Sequence, residues 1–151
     1  MTSVRLATPD DADAIAQRLH DFNVEFETPT PDVSILAERL RHLLTTDHTL
    51  ALVAGDTATG VALVTLRPNV WYDGQVALLD ELYVVPRLRN QGIGSDIMDE
   101  LNAQASHHGW SLIEINVYEG NVDAQRFYAR HGFCATEPDS DERALYYFQE
   151  L

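Results

Sequence analysis

Hydrophobic and polar positions along the chain change their spacing several times, and each spacing predicts a helix or a strand. Over residues 28–44 the spacing is helical, and one face carries Val33, Leu36, Leu40 and Leu43. Residues 8–26 predict a second helix near the start of the chain. Each segment opens with a threonine placed to cap and a proline at the first helical position: Thr30 and Pro31, and Thr8 and Pro9.

Apolar, β-branched runs bounded by turn residues predict the strands. They cover residues 3–7, 49–55, 59–68, 76–85, 111–118, 133–136 and 144–150. Two more helices are predicted, one from the glycines after residue 85 to about His108 and one over residues 121–132. The order β, α, α, β, β, β, α, β, α, β, β indicates an α/β fold, a mixed sheet with helices on its faces. The length of 151 residues fits a single domain, residues 1–151.

Composition narrows the classes of partner. The chain has 24 acidic and 10 basic residues, all of them Arg, for a formal net charge of -14, which argues against nucleic acid as a partner. The acids form either an ordinary soluble surface or a pocket for a cationic substrate. Membrane insertion is not expected, because the sequence has no long apolar run and no signal peptide, and a cytoplasmic location is predicted. No metal is predicted, since Cys134 stands alone and the six histidines lack ligand spacing.

The segment from Arg89 to Ser95 places an arginine and two glycines at the predicted start of a helix. The first N–H groups of a helix have no partner within it, and the helix dipole makes that end positive, so the end suits an anion. Gly92 and Gly94 remove side chains that would hold a phosphate away from the main chain. A P-loop would need a lysine, and the spacing RxxGxG differs from the dinucleotide fingerprint GxGxxG. The remaining interpretation is a pyrophosphate bound mainly by main-chain amides.

Two stretches resemble a known family, the GNAT superfamily of acetyl-CoA-dependent N-acetyltransferases. "ELYVVPRLRNQGIGSDIM" is similar to its motif A, in which Gln or Arg, two residues, Gly, one residue and Gly or Ala follow one another. The matching residues are Arg89, Gly92 and Gly94. "NVYEGNVDAQRFYARHGF" is similar to motif B through Asn121, Ala124, Phe127, Tyr128, Gly132 and Phe133.

The resemblance implies acetyl-CoA as donor and CoA as product. It implies a sheet of six to seven mostly antiparallel strands with four helices, in which the parallel strands at 76–85 and 111–118 splay apart at the cofactor site. Main-chain groups of Leu82 and Val84 would pair with the pantetheine arm, which also passes Ala124 and Tyr128. Asn121 would bind the same arm, cap its helix, or do both. The pyrophosphate would lie on the amides of Arg89, Asn90, Gln91, Gly92, Ile93, Gly94 and Ser95.

Direct attack of an amine on the thioester in a ternary complex requires two proton transfers. Tyr128 occupies the family's tyrosine position and would be the acid; otherwise it is a core aromatic beside Phe127. Several family members use an acidic residue on the strand at 76–85 as the base. Glu81 is preferred there to Asp80, because neighbours on a strand face opposite sides and only one can enter a given cleft. Glu114 is another candidate, or else it faces an arginine.

The family usually builds its acceptor pocket from the loop between the first two helices and from the turn before the strand at 76–85. Those segments supply Phe22, Glu25, Phe26, Trp71, Tyr72 and Asp73. Acids mixed with aromatics suit a cationic amine, although each residue taken singly equally suits a helix face or a hairpin tip.

The resulting hypothesis is an N-acetyltransferase for a primary amine, on a small cationic molecule. Two alternatives stay open: a protein N-terminal or lysine acetyltransferase acting on a peptide amine, and a non-catalytic acyl-CoA-binding sensor domain. The predicted edge strand at 144–150 would also offer a homodimer surface.

Overall fold

The computed structural model describes residues 2–151, which fall into two compact units. The first unit ends at Ile115 and holds a sheet with three helices, and the second, Asn116–Leu151, holds one helix. The single domain predicted for the whole chain stays a prediction. Among the residues described, no helix has the length and apolar character needed to cross a membrane.

The elements follow the predicted order as far as the fourth helix. They are β1 Val4–Leu6, α1 Ala12–Glu25, α2 Val33–Leu43, β2 Thr49–Ala54, β3 Gly60–Arg67, β4 Val76–Val84, α3 Ile93–His108, β5 Leu112–Glu114 and α4 Val122–Arg130. The strands lie in the order β1-β2-β3-β4-β5, antiparallel except for the parallel pair β4 and β5. The predicted mixed α/β fold, with a mostly antiparallel sheet and four helices, is confirmed.

Helices cover both faces of the sheet in the first unit. One face packs on α1 and α2 through a buried cluster: Ala12, Ile15, Ala16, Ala37, Leu40, Ala51, Val53, Val61 and Tyr83. The other face packs on α3, which buries Ile93, Ile97, Met98 and Leu101. At Gly60 of β3 an added Cβ would lie 2.9 Å from the side chains of Ile93 and Ile97. The missing side chain at Gly60 therefore sets how closely α3 approaches the sheet.

Three predicted boundaries are wrong. A short 3-10 helix, Pro9–Asp11, follows Thr8, so α1 begins at Ala12 and not at Pro9. α2 begins at Val33 with Asp32 in the N-cap position, two residues later than the pair Thr30 and Pro31 predicts. The Thr30 hydroxyl donates a hydrogen bond to the Pro31 carbonyl at 3.1 Å, so it does not act as the cap acceptor. β5 has three residues and not the eight of 111–118; it pairs with β4 only from Val76 to Leu78. β4 continues to Val84 without that neighbour, as the predicted splay requires.

The last two predicted strands, 133–136 and 144–150, are also absent from the described residues, so the sheet has five strands and not six or seven. The only pairing there is an isolated antiparallel bridge between Thr136 and Arg143. An apolar segment becomes a strand only when a neighbouring strand completes its hydrogen bonds. Without such a neighbour the side chains stay exposed: Leu145, Tyr146, Tyr147 and Phe148.

Candidate active site

β4 carries a β-bulge at its two acidic residues. Leu63 of β3 pairs with Glu81, but the next residue, Val64, pairs with Leu79, which leaves Asp80 as the extra residue on β4. A bulge interrupts the alternation of side chains along a strand. Asp80 and Glu81 consequently line the same pocket, and the expectation that only one of them could enter a given cleft is wrong.

This pocket, which we call the acidic pocket, lies in the first unit and has a volume of about 350 Å³. α1 and α2 supply Leu19, Asn23 and Leu36, and the sheet supplies Leu63, Thr65, Asp80 and Glu81. Two carboxylates therefore stand among aliphatic side chains with one amide and one hydroxyl. Such a lining can bind a positive charge carried on an aliphatic body.

The two carboxyl groups differ in their hydrogen bonding. Burial raises the pKa of Glu81 to about 7, and the charge of Asp80 adds to that rise. Burial also raises the pKa of Asp80, but its Oδ2 accepts a 2.5 Å hydrogen bond from the Thr65 hydroxyl, which opposes the rise. A carboxyl group that titrates near neutral pH can exchange a proton with a substrate under ordinary conditions.

The turn between β4 and α3 contains two residues with left-handed backbone. Asn90 has φ +61° and Gly92, at the N-cap of α3, has φ +89°. A Cβ added at Gly92 would meet no other atom within 4 Å, so this side of the turn is open. The glycine is therefore required by its backbone angle and not by lack of space. The open side adjoins the start of a sixteen-residue helix, the positive end of its dipole.

Arg89 does not point into solvent from this turn. Its Nη1 and Nη2 donate to the two carboxylate oxygens of Glu25, both at 2.7 Å, and its Nε donates to the Val84 carbonyl at 2.9 Å. Its guanidinium carbon lies 5.2 Å from the centroid of the Tyr83 ring. The predicted cation of the pyrophosphate site and a predicted acid of the acceptor site are thus partners of each other.

In the second unit, Asn121 and Tyr128 have contacts of their own. The Asn121 side chain accepts a hydrogen bond from the Ala124 amide at 3.1 Å, so it caps α4 as predicted. Tyr128 is buried, with its ring 5.2 Å from Phe127 and 5.7 Å from Phe133. A role for Asn121, Ala124 and Tyr128 at the cofactor stays a prediction.

The other predicted acceptor residues do not line the acidic pocket. Phe22 stacks on Tyr83 at 5.1 Å and contacts Phe26 at 5.2 Å. The loop between β3 and β4 holds three more, all of them exposed: Trp71, Tyr72 and Asp73. Their part in acceptor binding stays a prediction.

The alternative stated for Glu114 is confirmed, because its Oε1 lies 2.8 Å from Nη2 of Arg67. Across residues 2–151, no three His, Cys, Asp or Glu side chains are grouped as a metal ion would need.

Comparison with known proteins decides the family. Residues 12–133 match the model of the Acetyltransferase (GNAT) family. The chain belongs to this family.

Individual relatives support the same assignment. The chain is 27% identical over 123 residues to thialysine N-epsilon-acetyltransferase of Caenorhabditis elegans, covering 80% of this chain and 76% of that protein. It is 29% identical over 120 residues to aminoglycoside N(6')-acetyltransferase type 1 of Serratia marcescens, covering 76% and 79%. A crystal structure of an Arthrobacter sp. FB24 protein described as an acetyltransferase is 48% identical, with a TM-score of 0.93 over 100% of this chain and 97% of that one. The chain is accordingly an N-acetyltransferase of the GNAT family, an acyltransferase enzyme.

GNAT enzymes generally use acetyl-CoA, and the turn at Gly92 fits its pyrophosphate. The left-handed glycine at the N-cap and the open space beside it leave main-chain amides of the first turn accessible to an anion. The residues that would hold the group are those of motif A, from Arg89 to Ser95. Arg89 differs from the expected arrangement, since its charge is already paired with Glu25.

Five of the residues that line the acidic pocket were not predicted: Leu19, Asn23, Leu36, Leu63 and Thr65. Leu19 and Asn23 are one helical turn apart on α1, so the spacing that predicted the helix also placed them on one face. Leu63 and Thr65 are two residues apart on β3, so regular alternation places both side chains on the same face. The bulge could not be seen in the sequence. With strict alternation along β4, Asp80 would lie on the face opposite to Glu81.

Proposed function

We propose that this enzyme transfers the acetyl group of acetyl-CoA to the primary amine of a small cationic molecule held in the acidic pocket. The observation that carries the proposal is the pair Asp80 and Glu81, two carboxylates side by side in a pocket walled by leucines. A volume of about 350 Å³ lies at the small end of ligand sites, which span roughly 300–1,000 Å³. A pocket of this size accommodates a compact aliphatic ammonium group.

Glu81 is the general base of the proposed reaction. At neutral pH an alkylamine is protonated, and it must lose a proton before its nitrogen can attack an acyl carbon. A carboxylate with a pKa of about 7 is ionised in a large fraction of molecules and can accept that proton, directly or through a water. Asp80, held by Thr65, keeps a second charge beside the ammonium group. The three leucines bind the aliphatic part of the substrate and exclude water.

Acetyl-CoA supplies the acetyl group as a thioester. The amides between Arg89 and Ser95 would bind its pyrophosphate, and the splayed main chain at Leu82 and Val84 would pair with its pantetheine arm. Tyr128 would give a proton to the departing sulfur. Both substrates are bound together in this scheme, and the amine attacks directly.

The test is a panel of amines assayed with acetyl-CoA by release of free thiol. It contains short aliphatic diamines, amino acids, aminoglycosides and basic peptides, ranked by kcat/KM. We expect the short aliphatic amines to rank first and Glu81→Gln to lower their kcat by about 100-fold or more. Basic peptides ranking first would favour a protein acetyltransferase. Binding of CoA by calorimetry without turnover of any amine would favour a sensor domain.

Tyr128→Phe separates the proposed acid from a core aromatic. If Tyr128 donates the proton, the variant keeps its CoA affinity while kcat falls by about 10-fold or more at neutral pH, and the difference from the wild type shrinks at high pH, where the wild-type hydroxyl itself loses its proton. Phe127→Leu is the matched control, because it alters the neighbouring ring of the same helix without touching the hydroxyl. Equal kcat values for Tyr128→Phe and the wild type across the pH range would contradict the assignment.

A further inference from the structure

The last residue of α1 is an acid in an unfavourable place. Glu25 ends the helix, where the helix dipole is negative and repels a carboxylate. The charged form of Glu25 is nevertheless stabilised, because the hydrogen bonds from Arg89 lower its pKa more than burial raises it. The Tyr83 hydroxyl donates a third hydrogen bond to the same carboxylate at 3.1 Å.

Arg89 is fixed on three sides by this arrangement. The fork of two parallel hydrogen bonds to Glu25 determines the plane of the guanidinium group. The Nε bond to the Val84 carbonyl ties the same group to the end of β4, and the Tyr83 ring lies beneath it. Arg89 thus joins the end of α1 to the end of β4, where the turn begins.

The pair of Glu25 and Arg89 lies at the turn of residues 85–92, which we call the cofactor loop because it is proposed to bind the cofactor. Arg89 is three residues before Gly92, whose left-handed backbone opens α3. An unpaired arginine on a turn would leave the loop free to change its angles, and an ordered arginine restricts it. The side chains of Arg89 and Glu25 are 36% and 28% exposed, so solvent reaches the pair but screens the attraction between the two charges only in part.

We propose that Glu25 is a positioning residue for the cofactor: through Arg89 it holds the turn of residues 85–92 in the shape that presents the α3 amides to the diphosphate of CoA. The inference rests on the proposed use of acetyl-CoA. In this proposal Arg89 orders the turn, and main-chain N–H groups bind the diphosphate. Because Leu19 and Asn23 of the same helix line the acidic pocket, Glu25 also links one wall of that pocket to the cofactor loop.

The first experiment compares Glu25→Gln with the matched control Asp13→Asn. Asp13 also belongs to α1 and pairs with an arginine of another element, Arg41 at 3.2 Å, but far along the helix from the turn. Amide hydrogen exchange is measured on the ligand-free proteins, and CoA binding is measured by calorimetry. We expect Glu25→Gln to speed exchange in residues 86–95 and to weaken CoA binding by about fivefold. Asp13→Asn should change neither quantity.

The opposite sign would overturn the proposal. If Arg89 is a diphosphate ligand held back by Glu25, Glu25→Gln frees it, and CoA then binds more tightly with a steeper dependence on salt. Unchanged exchange in residues 86–95 would equally exclude the positioning role. The exchange measurement needs no ligand, so it decides the proposal even if the wild type proves not to bind CoA, an outcome that would instead refute the proposed function.

A double-mutant cycle adds a second criterion. Glu25→Gln, Arg89→Gln and the double variant are compared for CoA affinity and for the free energy of unfolding. If the two residues act as one unit, the double variant is no weaker than Arg89→Gln alone. Additive losses would show that they act independently and would contradict the inference.

Discussion

The proposed base, Glu81, leads to a prediction for the pH dependence of the activity. If its carboxylate is the base, kcat/KM rises with pH through a midpoint of about 7 and then levels until another group titrates. Asp80→Asn removes the charge that contributes to the raised pKa of Glu81, so the midpoint should move to lower pH. It should stay above the ordinary value of 4.5, because burial is the larger cause. A midpoint that Asp80→Asn leaves unmoved would show that a group other than Glu81 is titrating.

Because its pKa is raised, Glu81 lowers the free energy of unfolding at alkaline pH. Folded protein keeps the proton on Glu81 up to about pH 7, whereas an unfolded chain releases it near 4.5, so stability falls as pH rises through this window. Glu81→Gln removes that loss. We expect the variant to gain about 1–2 kcal/mol over the wild type at pH 8, after allowance for partial exposure, and almost nothing at pH 4.5.

Urea unfolding at the two pH values measures this difference. Glu38→Gln, an exposed glutamate on α2, is the control and should gain nothing at either pH. An equal gain for Glu81→Gln at both pH values would argue against a raised pKa of the half-buried Glu81.

At the scale of elements, the turn into α3 should be sensitive to one methyl group. Gly92→Ala places a Cβ on a residue with φ +89°, which costs about 1 kcal/mol of strain although no atom is crowded. We expect a lower free energy of unfolding and a weaker affinity for CoA, both seen by calorimetry. Gly120→Ala is the matched control: its added Cβ also meets open space, but its φ is not in the left-handed region. Equal effects of the two substitutions would show that the backbone angle at Gly92 is unimportant.

Element positions were predicted where local signals are strong. The glycines at 92 and 109 bound α3 at Ile93 and His108 because left-handed backbone needs glycine. Apolar, β-branched runs located β2 and β3. The segment at 144–150 is also apolar and does not become a strand, since a strand also needs a partner and composition does not say whether one is present.

The candidate site was predictable only in part for a related reason. Motif A identifies the open turn at Gly92 from spacing, because the chemistry there depends on backbone shape. The acidic pocket depends on a bulge at Asp80, which follows from the register between β3 and β4 and not from the residues of β4 alone. The pairing of Glu25 with Arg89 joins residues 64 positions apart, a separation at which spacing carries no information.

At the scale of the whole molecule, the net charge of -14 acts oppositely on the two proposed substrates. The field of the protein attracts a cationic amine and repels the anionic acetyl-CoA, and added salt screens both effects. From about 20 to 300 mM salt, we expect KM for the amine to rise and KM for acetyl-CoA to fall. An amine carrying two positive charges should respond more steeply than one carrying a single charge.

A neutral osmolyte at matched osmolarity controls for effects unrelated to charge and should change neither KM. Main-chain amides are neutral dipoles and Arg89 is paired with Glu25, so the exposed Arg87 is the side-chain charge of the turn that opposes the net charge of -14, and we expect the larger negative charge to dominate. If Arg89 instead bound the diphosphate as a free cation, salt would weaken that contact and KM for acetyl-CoA would rise together with KM for the amine. The sign of this one salt dependence therefore distinguishes a cofactor site made of main-chain nitrogen from one made of a charged side chain.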